Sequence, residues 1–380
     1  MKNQQIKFTG KRLASLDALR GLNMFWIIGG EKIADALARL NFPLSRILAA
    51  QLNHTKWIGF TFYDLIYPMF IFVTGVSIAY SIENHMKRGE GLAQILLRIL
   101  RRTFLLFLCG LYLSNSGLSL QGWLTNVRLM GILQRIALCY CGAAILTLFV
   151  RKRHQVFIAV MILLGYWLIL KFGAVPGYGA GVWYPPEANF ANYFDKLFLP
   201  GRKYYGTWDV EGLLSTFPAL VSCQIGVFAG FWLKKDWRKT GFSSQGASFK
   251  IAFLGLIGLL MLGAGLLWGL VLPISKLIWT SSFTLVTGGL STIILVLFYW
   301  LIDVRGFQKW AFPFIVIGLN SIFIYLAVNA VPWNKVFGGL FGWNSRALGQ
   351  WGGLISSLAA FFVGWVLLYW MYRKKVFIRF

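Results

Sequence analysis

The sequence predicts an all-α polytopic membrane protein, a bundle of about ten transmembrane helices with both termini in the cytoplasm. The 380 residues are 58% hydrophobic and only 13% charged, whereas soluble domains carry about a quarter charged residues. Apolar runs of about 20 residues recur along the chain, and a helix of that length crosses the hydrocarbon core. Lysine and arginine collect in alternate loops, which is the pattern of topology signals.

Ten apolar runs are the candidate spans. They lie at about 17–40, 60–82, 96–117, 128–150, 155–172, 211–233, 250–271, 278–302, 312–331 and 351–372. The first run is the least regular, because it contains Asp17, Glu31 and Asp35. Asp17 is explained as an N-terminal cap, where the helix dipole favours a negative charge. Glu31 lies either at the outer interface or against a water-filled cavity.

The basic clusters fix the predicted orientation. They include 87–88, 151–153, 234–235 and 373–375. Because basic loops stay on the cytoplasmic side, the outer side receives His54 and the segment 173–210, which is rich in glycine, proline and aromatic residues. We predict one transmembrane domain over 1–380, with 173–210 as a long outer-face loop. The net charge of +25 lies in these clusters, so the predicted partner is a lipid bilayer and not a nucleic acid.

His54 and Asp64 are the predicted catalytic pair. His54 lies just outside the second run, and Asp64 lies just inside it. An ionisable side chain at membrane depth is costly and marks a functional site by default. A histidine beside a carboxylate that can orient it is the smallest set of groups that performs general-base catalysis. We predict no metal ion in this site.

Further polar residues interrupt the apolar runs. Asp209 and Glu211 precede or open the sixth run on the outer side, either as helix caps or as contacts to a substrate amine. The others are Arg128, Gln134, Arg135, Lys276, Trp279, Ser281, Asn320 and Ser321. Each alone is explained by interhelical hydrogen bonding, and together they favour a polar cavity. Buried ionisable groups also fit a proton-coupled sugar transporter.

Several sequence blocks occur in a fixed order along the chain. They are RLASLDALRGLNMFWIIGGE, NHTKWIGFTFYDLIYPMFIFVTGVSI, VRLMGILQRIALCY, VPGYGAG, DVEGLLSTFPAL, WTSSFTLVTGGLS and IGLNSIFIY. Together they resemble the heparan-α-glucosaminide N-acetyltransferase family in its shorter bacterial form. The resemblance runs from about Arg12 to about Asn329.

The resemblance implies a reaction and a location. It implies transfer of an acetyl group from cytoplasmic acetyl-CoA, used as a co-substrate, to a glucosamine-like amino sugar on the periplasmic side of a bacterial inner membrane. It also implies a homodimer, since family members form dimers. An acyltransferase for another glycan acceptor remains an alternative. His54 acts either as a general base in a ternary complex or as a carrier of the acetyl group, and the ready hydrolysis of an exposed acyl-imidazole favours the first route.

The resemblance also assigns residues. The family's block H-x-x-W-x-G-x-T-x-x-D is filled here by His54, Trp57, Gly59, Thr61 and Asp64, which implies the catalytic role of His54. The predicted substrate-binding residues are Glu31, Trp57, Asp209 and Glu211. The predicted donor-binding residues are Arg128, Gln134, Arg135, Lys276, Trp279, Ser281, Asn320 and Ser321. The family's first-span asparagine has no counterpart here, and Glu31 is the candidate to replace it.

Overall fold

Helices account for most of the fold in the computed structural model, which describes residues 13–40, 42–235, 246–330 and 351–378. They are α1 (Ala14–Leu40), α2 (Pro43–Gln51), α3 (Phe62–Lys87), α4 (Leu92–Asn115), α5 (Leu120–Thr125), α6 (Ile132–Phe149), α7 (Lys152–Phe172), α8 (Phe190–Phe198), α9 (Thr216–Lys234), α10 (Gly246–Trp268), α11 (Ser281–Phe298), α12 (Phe312–Leu319), α13 (Ser321–Ala330) and α14 (Gly352–Arg373). Two short strands, β1 (Ala174–Val175) and β2 (Gly179–Ala180), pair antiparallel.

Within the described ranges, seven helices are long and apolar enough to cross a membrane. They are α3, α6, α7, α9, α10, α14, and α11 together with a π-helical extension to Val304. Helices α12 and α13 form one further candidate span that is bent by 73°. These helices confirm an α-helical, multi-pass fold. Helices α1 and α4 coincide with predicted spans but carry several ionisable side chains. The count of about ten spans and the cytoplasmic termini remain predictions.

Helix α3 is the most enclosed of these candidate spans, with 78% of its apolar stretch buried. It packs against α9 through glycines on both helices. A Cβ atom on Gly75 would lie 1.9 Å from the carbonyl oxygen of Cys223, and one on Gly226 would lie 2.0 Å from that of Phe72. Small residues allow two helix backbones to approach this closely. Close packing on α9 therefore fixes the position of the N-terminus of α3, which carries Asp64.

The N-termini of α3, α6, α9 and α11 meet at one end of the bundle, called here the His54 end. In α3, Tyr67 donates to the carbonyl oxygen of Ile132, the first residue of α6, and its ring contacts Trp279, just before α11. The opposite end, called the Arg20 end, contains the start of α1. There the carboxylate of Asp303 accepts hydrogen bonds from the first backbone N–H groups of α1.

Candidate active site

Asp64 binds both the start of its own helix and the predicted catalytic histidine. Its Oδ2 atom accepts hydrogen bonds from the backbone N–H of Thr61 (3.1 Å), from the Thr61 hydroxyl (3.0 Å) and from the Thr55 hydroxyl (3.1 Å). Its Oδ1 atom lies 2.8 Å from Nδ1 of His54. The Asp64 carboxylate is fully buried, whereas the His54 side chain is 40% exposed. One oxygen therefore caps α3, and the other orients a solvent-accessible imidazole.

Lys276 contacts the same imidazole. Its Nζ atom lies 2.8 Å from Nε2 and 2.9 Å from Nδ1 of His54, and 3.8 Å from Oδ1 of Asp64. The loop between α10 and α11 brings Lys276 there, because the backbone N–H of Gly59 donates to the carbonyl oxygen of Ile274 at 2.9 Å. Gly59 has a φ of +121°, which favours glycine at this position of the motif. This contact places a third ionisable group in the site.

The charge of Lys276 is shaped by its surroundings. Burial lowers the pKa of its amine to about 8, and the negative charges of Asp64, Glu211 and Glu31 act against that shift. Sequence reasoning placed Lys276 with the donor and missed its contact with His54. It also missed Tyr63, whose ring lies 4.6 Å from the imidazole, centroid to centroid. Glu31 is exposed on α1.

Trp57 joins the histidine loop to the segment 173–210. Its indole N–H donates to the carbonyl oxygen of Trp183 at 2.6 Å, and its ring packs edge-on against Trp208. Trp57 is buried by these contacts. The indole N–H of Trp57, predicted to contact the substrate, is thus already hydrogen-bonded within the protein. Tyr184 and Tyr204 of the same segment are exposed.

Arg128, Asp209 and Glu211 form a second charged group at the His54 end, called here the Arg128 cluster. The guanidinium binds Asp209 through Nε (2.8 Å) and Nη2 (2.6 Å), and Nη2 also contacts Glu211 at 2.8 Å. Asp209 also accepts a hydrogen bond from the backbone N–H of Tyr204. Burial raises the pKa of Glu211, an effect that the cations Arg135 and Arg128 oppose. The predicted substrate carboxylates and the predicted donor arginine are thus paired with one another.

Arg135 lies behind this cluster and is fully buried. Its Nη2 atom donates to the carbonyl oxygen of Val210 (2.9 Å) and to the hydroxyl of Ser215 (2.5 Å). Its guanidinium faces the ring of Trp279 at 5.1 Å. Among the described residues, its Nε and Nη1 atoms have no hydrogen-bond partner. The side chain therefore adds a positive charge to the interior at this end.

The other predicted donor residues divide between the two ends of the bundle. At the His54 end, the Trp279 indole donates to Ser222, the Ser281 hydroxyl donates to the carbonyl oxygen of Leu163, and Gln134 contacts Ser114. These bonds join neighbouring elements of the bundle, as is common for polar groups in membrane proteins. At the Arg20 end, Asn320 donates to the carbonyl oxygen of Val376 and accepts from the N–H of Ile378. Ser321 is buried beside it.

A polar cavity of about 320 Å³ lies at the Arg20 end. Its polar lining comprises Asp17, Arg20, Ser77, Tyr80, Ser81, Asn84, His85 and Arg88. The Arg20 guanidinium donates to Asp17 and to the Ser77 hydroxyl, both at 2.9 Å. Along α3, Ser77 lies roughly 20 Å from Asp64 at 1.5 Å per residue. The charged cavity and the histidine site are therefore separated by about two thirds of a hydrocarbon core.

Comparison with known proteins identifies the family. Residues 12–262 match the family model described as "Heparan-alpha-glucosaminide N-acetyltransferase, catalytic". The chain belongs to this family. A family member from Mus musculus, named heparan-alpha-glucosaminide N-acetyltransferase, is 28% identical over 86% of this chain and 56% of its own length. The protein of the same name from Homo sapiens is 27% identical over 96% of this chain and 59% of its own length. The chain thus spans less than three fifths of either relative.

Proposed function

We propose that this protein transfers an acetyl group from acetyl-CoA, supplied at the cytoplasmic face, to the amine of a glucosamine-like sugar at the outer face of a bacterial inner membrane. The names of its relatives support the reaction class. The observation that carries the proposal is the hydrogen bond between His54 Nδ1 and the buried Asp64 carboxylate. This bond leaves Nε2 of a partly exposed imidazole as the nitrogen that can accept a proton.

The arrangement supports general-base catalysis. An amino sugar is an ammonium near pH 7 and attacks a thioester only after losing a proton. His54 is suited to take it, because its Nε2 atom is a ring nitrogen that can accept a proton. Asp64 stabilises the imidazolium that forms and holds its tautomer. The positive charge of Lys276 favours the oxyanion and the departing thiolate. Because the His54 ring is 40% exposed, an acetyl-imidazole there would meet water, which favours direct transfer in a ternary complex.

The cavity at the Arg20 end is the proposed position of the donor phosphates. Guanidinium groups bind phosphate through several N–H donors, and both Arg20 and Arg88 line this cavity. A donor held there must span roughly 20 Å along α3 to reach the histidine. The long pantetheine arm of coenzyme A is the part of the donor that would span this distance. Asn320 and Ser321 lie at the same end, and Arg135 and Trp279 lie near the thioester end of the proposed path.

The outer face of the His54 end is the proposed acceptor position. Exposed aromatic rings of the segment 173–210, Tyr184, Tyr204 and Tyr205, are suited to stack against a sugar. Glu31 is exposed and its charge acts on Lys276, so it is the proposed anionic contact to the acceptor amine. A homodimer remains part of the proposal.

Membrane vesicles of defined orientation test the proposal. We expect labelled acetyl-CoA at the cytoplasmic face to acetylate glucosamine supplied at the opposite face, and His54→Ala to abolish the product. A sugar transporter, the alternative reading, would move glucosamine across the membrane without acetylating it. Glucosamine uptake with no acetylated product would overturn the proposal. Muramic acid and lipid-linked sugars, tested in parallel, identify the acceptor class.

A further inference from the structure

Lys276 places its amine where the acceptor amine has to be. For general-base catalysis, the nitrogen to be acetylated must come within hydrogen-bonding distance of the base, about 2.6–3.2 Å. Nζ of Lys276 lies 2.8 Å from His54 Nε2. Only one amine can occupy that position at a time. The lysine is therefore an internal analogue of the acceptor, at the end of a side chain that the protein itself holds in place.

Burial of Lys276 increases the fraction of its amine that is uncharged. Its side chain is only 11% exposed, and burial lowers its pKa to about 8. A lysine with a depressed pKa presents a larger fraction of nucleophilic amine near neutral pH. Lys56 provides the contrast within the same protein, because it lies two residues from His54 but is exposed. The two lysines lie on different loops at the His54 end and differ in burial and in contact with His54.

We propose that Lys276 is an acetyl-acceptor site, which this protein acetylates itself when acetyl-CoA is present and no external amine occupies the site. This inference rests on the proposed function. The Nζ atom attacks the thioester carbonyl carbon, so an N–C bond forms and the C–S bond breaks with its electron pair on sulfur. The proton leaving Nζ passes to His54 Nε2 and then to the thiolate. The products are Nε-acetyl-lysine and coenzyme A thiol, with no change of oxidation state.

Acetylation of Lys276 has a consequence for turnover. The amide that forms carries no positive charge and cannot be deprotonated, and it fills the space beside Nε2. The modified protein is therefore blocked toward the external acceptor. Because the two amines compete for one position, saturating glucosamine protects the lysine. The site thus limits its own activity when the donor is present without the acceptor.

Peptide mass spectrometry tests the proposal. Purified protein is incubated with acetyl-CoA, with and without glucosamine, and acetyl occupancy is measured at Lys276 and Lys56. We expect occupancy at Lys276 to fall at least about tenfold in His54→Ala, since it requires the base, and to fall with saturating glucosamine. Lys56, acetylated only by direct chemistry in solution, should be equal in both proteins. Asp64→Asn is a second variant, and a monodisperse elution profile checks that each variant is folded.

Two results would overturn the inference while leaving the proposed function intact. The first is an unmodified Lys276 after incubation with acetyl-CoA alone, in a protein preparation that acetylates glucosamine when glucosamine is added. The second is equal occupancy at Lys276 in the wild type and in His54→Ala, which means chemical acetylation without catalysis. If neither glucosamine nor Lys276 is acetylated, the proposed function itself fails.

Discussion

The His54 site and the Arg128 cluster lie at the same end of the bundle, and each sets a buried carboxylate beside a cation. In the Arg128 cluster, one guanidinium is bound by two carboxylates at 2.6–2.8 Å, so each of the three side chains already has an ionic partner within the protein. In the His54 site, Asp64 is equally engaged, but the imidazole it orients is 40% exposed and keeps Nε2 for a proton. We infer from this difference that the charges of the Arg128 cluster stabilise the fold, whereas His54, which is oriented by Asp64 but accessible, takes part in the reaction.

Replacing the base tests that distinction most strongly. We expect His54→Ala to lower the acetyl-transfer rate by about 10²–10⁴-fold, the usual contribution of general acid–base catalysis, with little change in thermal stability. Rates are measured with acetyl-CoA and glucosamine in detergent. His154→Ala is the control, since His154 is exposed at the start of α7. A His54→Ala protein with wild-type turnover would show that the imidazole is not the base.

Disrupting the Arg128 cluster should lower the stability of the fold more than it lowers the reaction rate. We expect Arg128→Met to lower the free energy of unfolding by about 3–5 kcal/mol, because Asp209 and Glu211 would remain buried without their cation. Thermal unfolding in detergent measures the loss. Arg202→Met is the matched control, since Arg202 is an exposed arginine of the neighbouring segment, and we expect a change within about 0.5 kcal/mol. Unchanged stability with lost activity would instead assign Arg128 to the reaction.

Asp64 has both a structural and a catalytic role, because it caps α3 and orients His54. We expect Asp64→Asn to lower the rate by about 10²-fold, because the amide N–H₂ of the variant favours the tautomer whose Nε2 carries a hydrogen and cannot accept one. The cap of α3 survives, since an amide oxygen still accepts from Thr61. Activity and thermal unfolding are measured together, with Asp35→Asn, an exposed residue of α1, as the control. A rate close to wild type would remove the orienting role.

Local patterns predicted some of these features, and long-range contacts decided the others. The motif linked Asp64 to a histidine ten residues earlier, and the structure adds that Asp64 caps the start of α3 through Thr61. The contact of Lys276 with His54 joins positions 222 residues apart. It depends on the bond between Gly59 and Ile274, which no periodicity encodes.

The same limit applies to the Arg128 cluster and to Asn320. Arg128 and Asp209 are 81 residues apart, so the sequence showed two unpaired charges where the fold makes one pair. The amide of Asn320 looked like part of a cavity lining. It instead binds backbone groups of the C-terminal segment, at the end of the bundle opposite His54. Apolar runs predicted the helices well because burial in a bilayer depends on composition, whereas partner choice depends on tertiary packing.

Asp195 offers the smallest test, because it supports the turn that carries the Arg128 cluster. Its Oδ1 atom accepts a hydrogen bond from the N–H of Leu213 at 2.9 Å, and burial raises its pKa from 3.8 to about 6. Between about pH 4 and pH 6 the folded protein therefore binds more protons than the unfolded chain. Its stability falls by about 2 kcal/mol as the pH rises through that window, out of about 3 kcal/mol for the whole shift.

Asp195→Asn removes this titration. We measure the unfolding free energies of the wild type and the variant at intervals from pH 4 to pH 7. The two values should approach each other as the pH falls toward 4. The wild type should lose about 2 kcal/mol relative to the variant between pH 4 and pH 6, and the offset should become constant near pH 7. Acetyl transfer should change little, since Asp195 contacts neither His54 nor Lys276 in the described part of the chain. Parallel stability curves would mean that Asp195 is ionised in the folded protein at pH 4, and that its burial carries no cost for this turn.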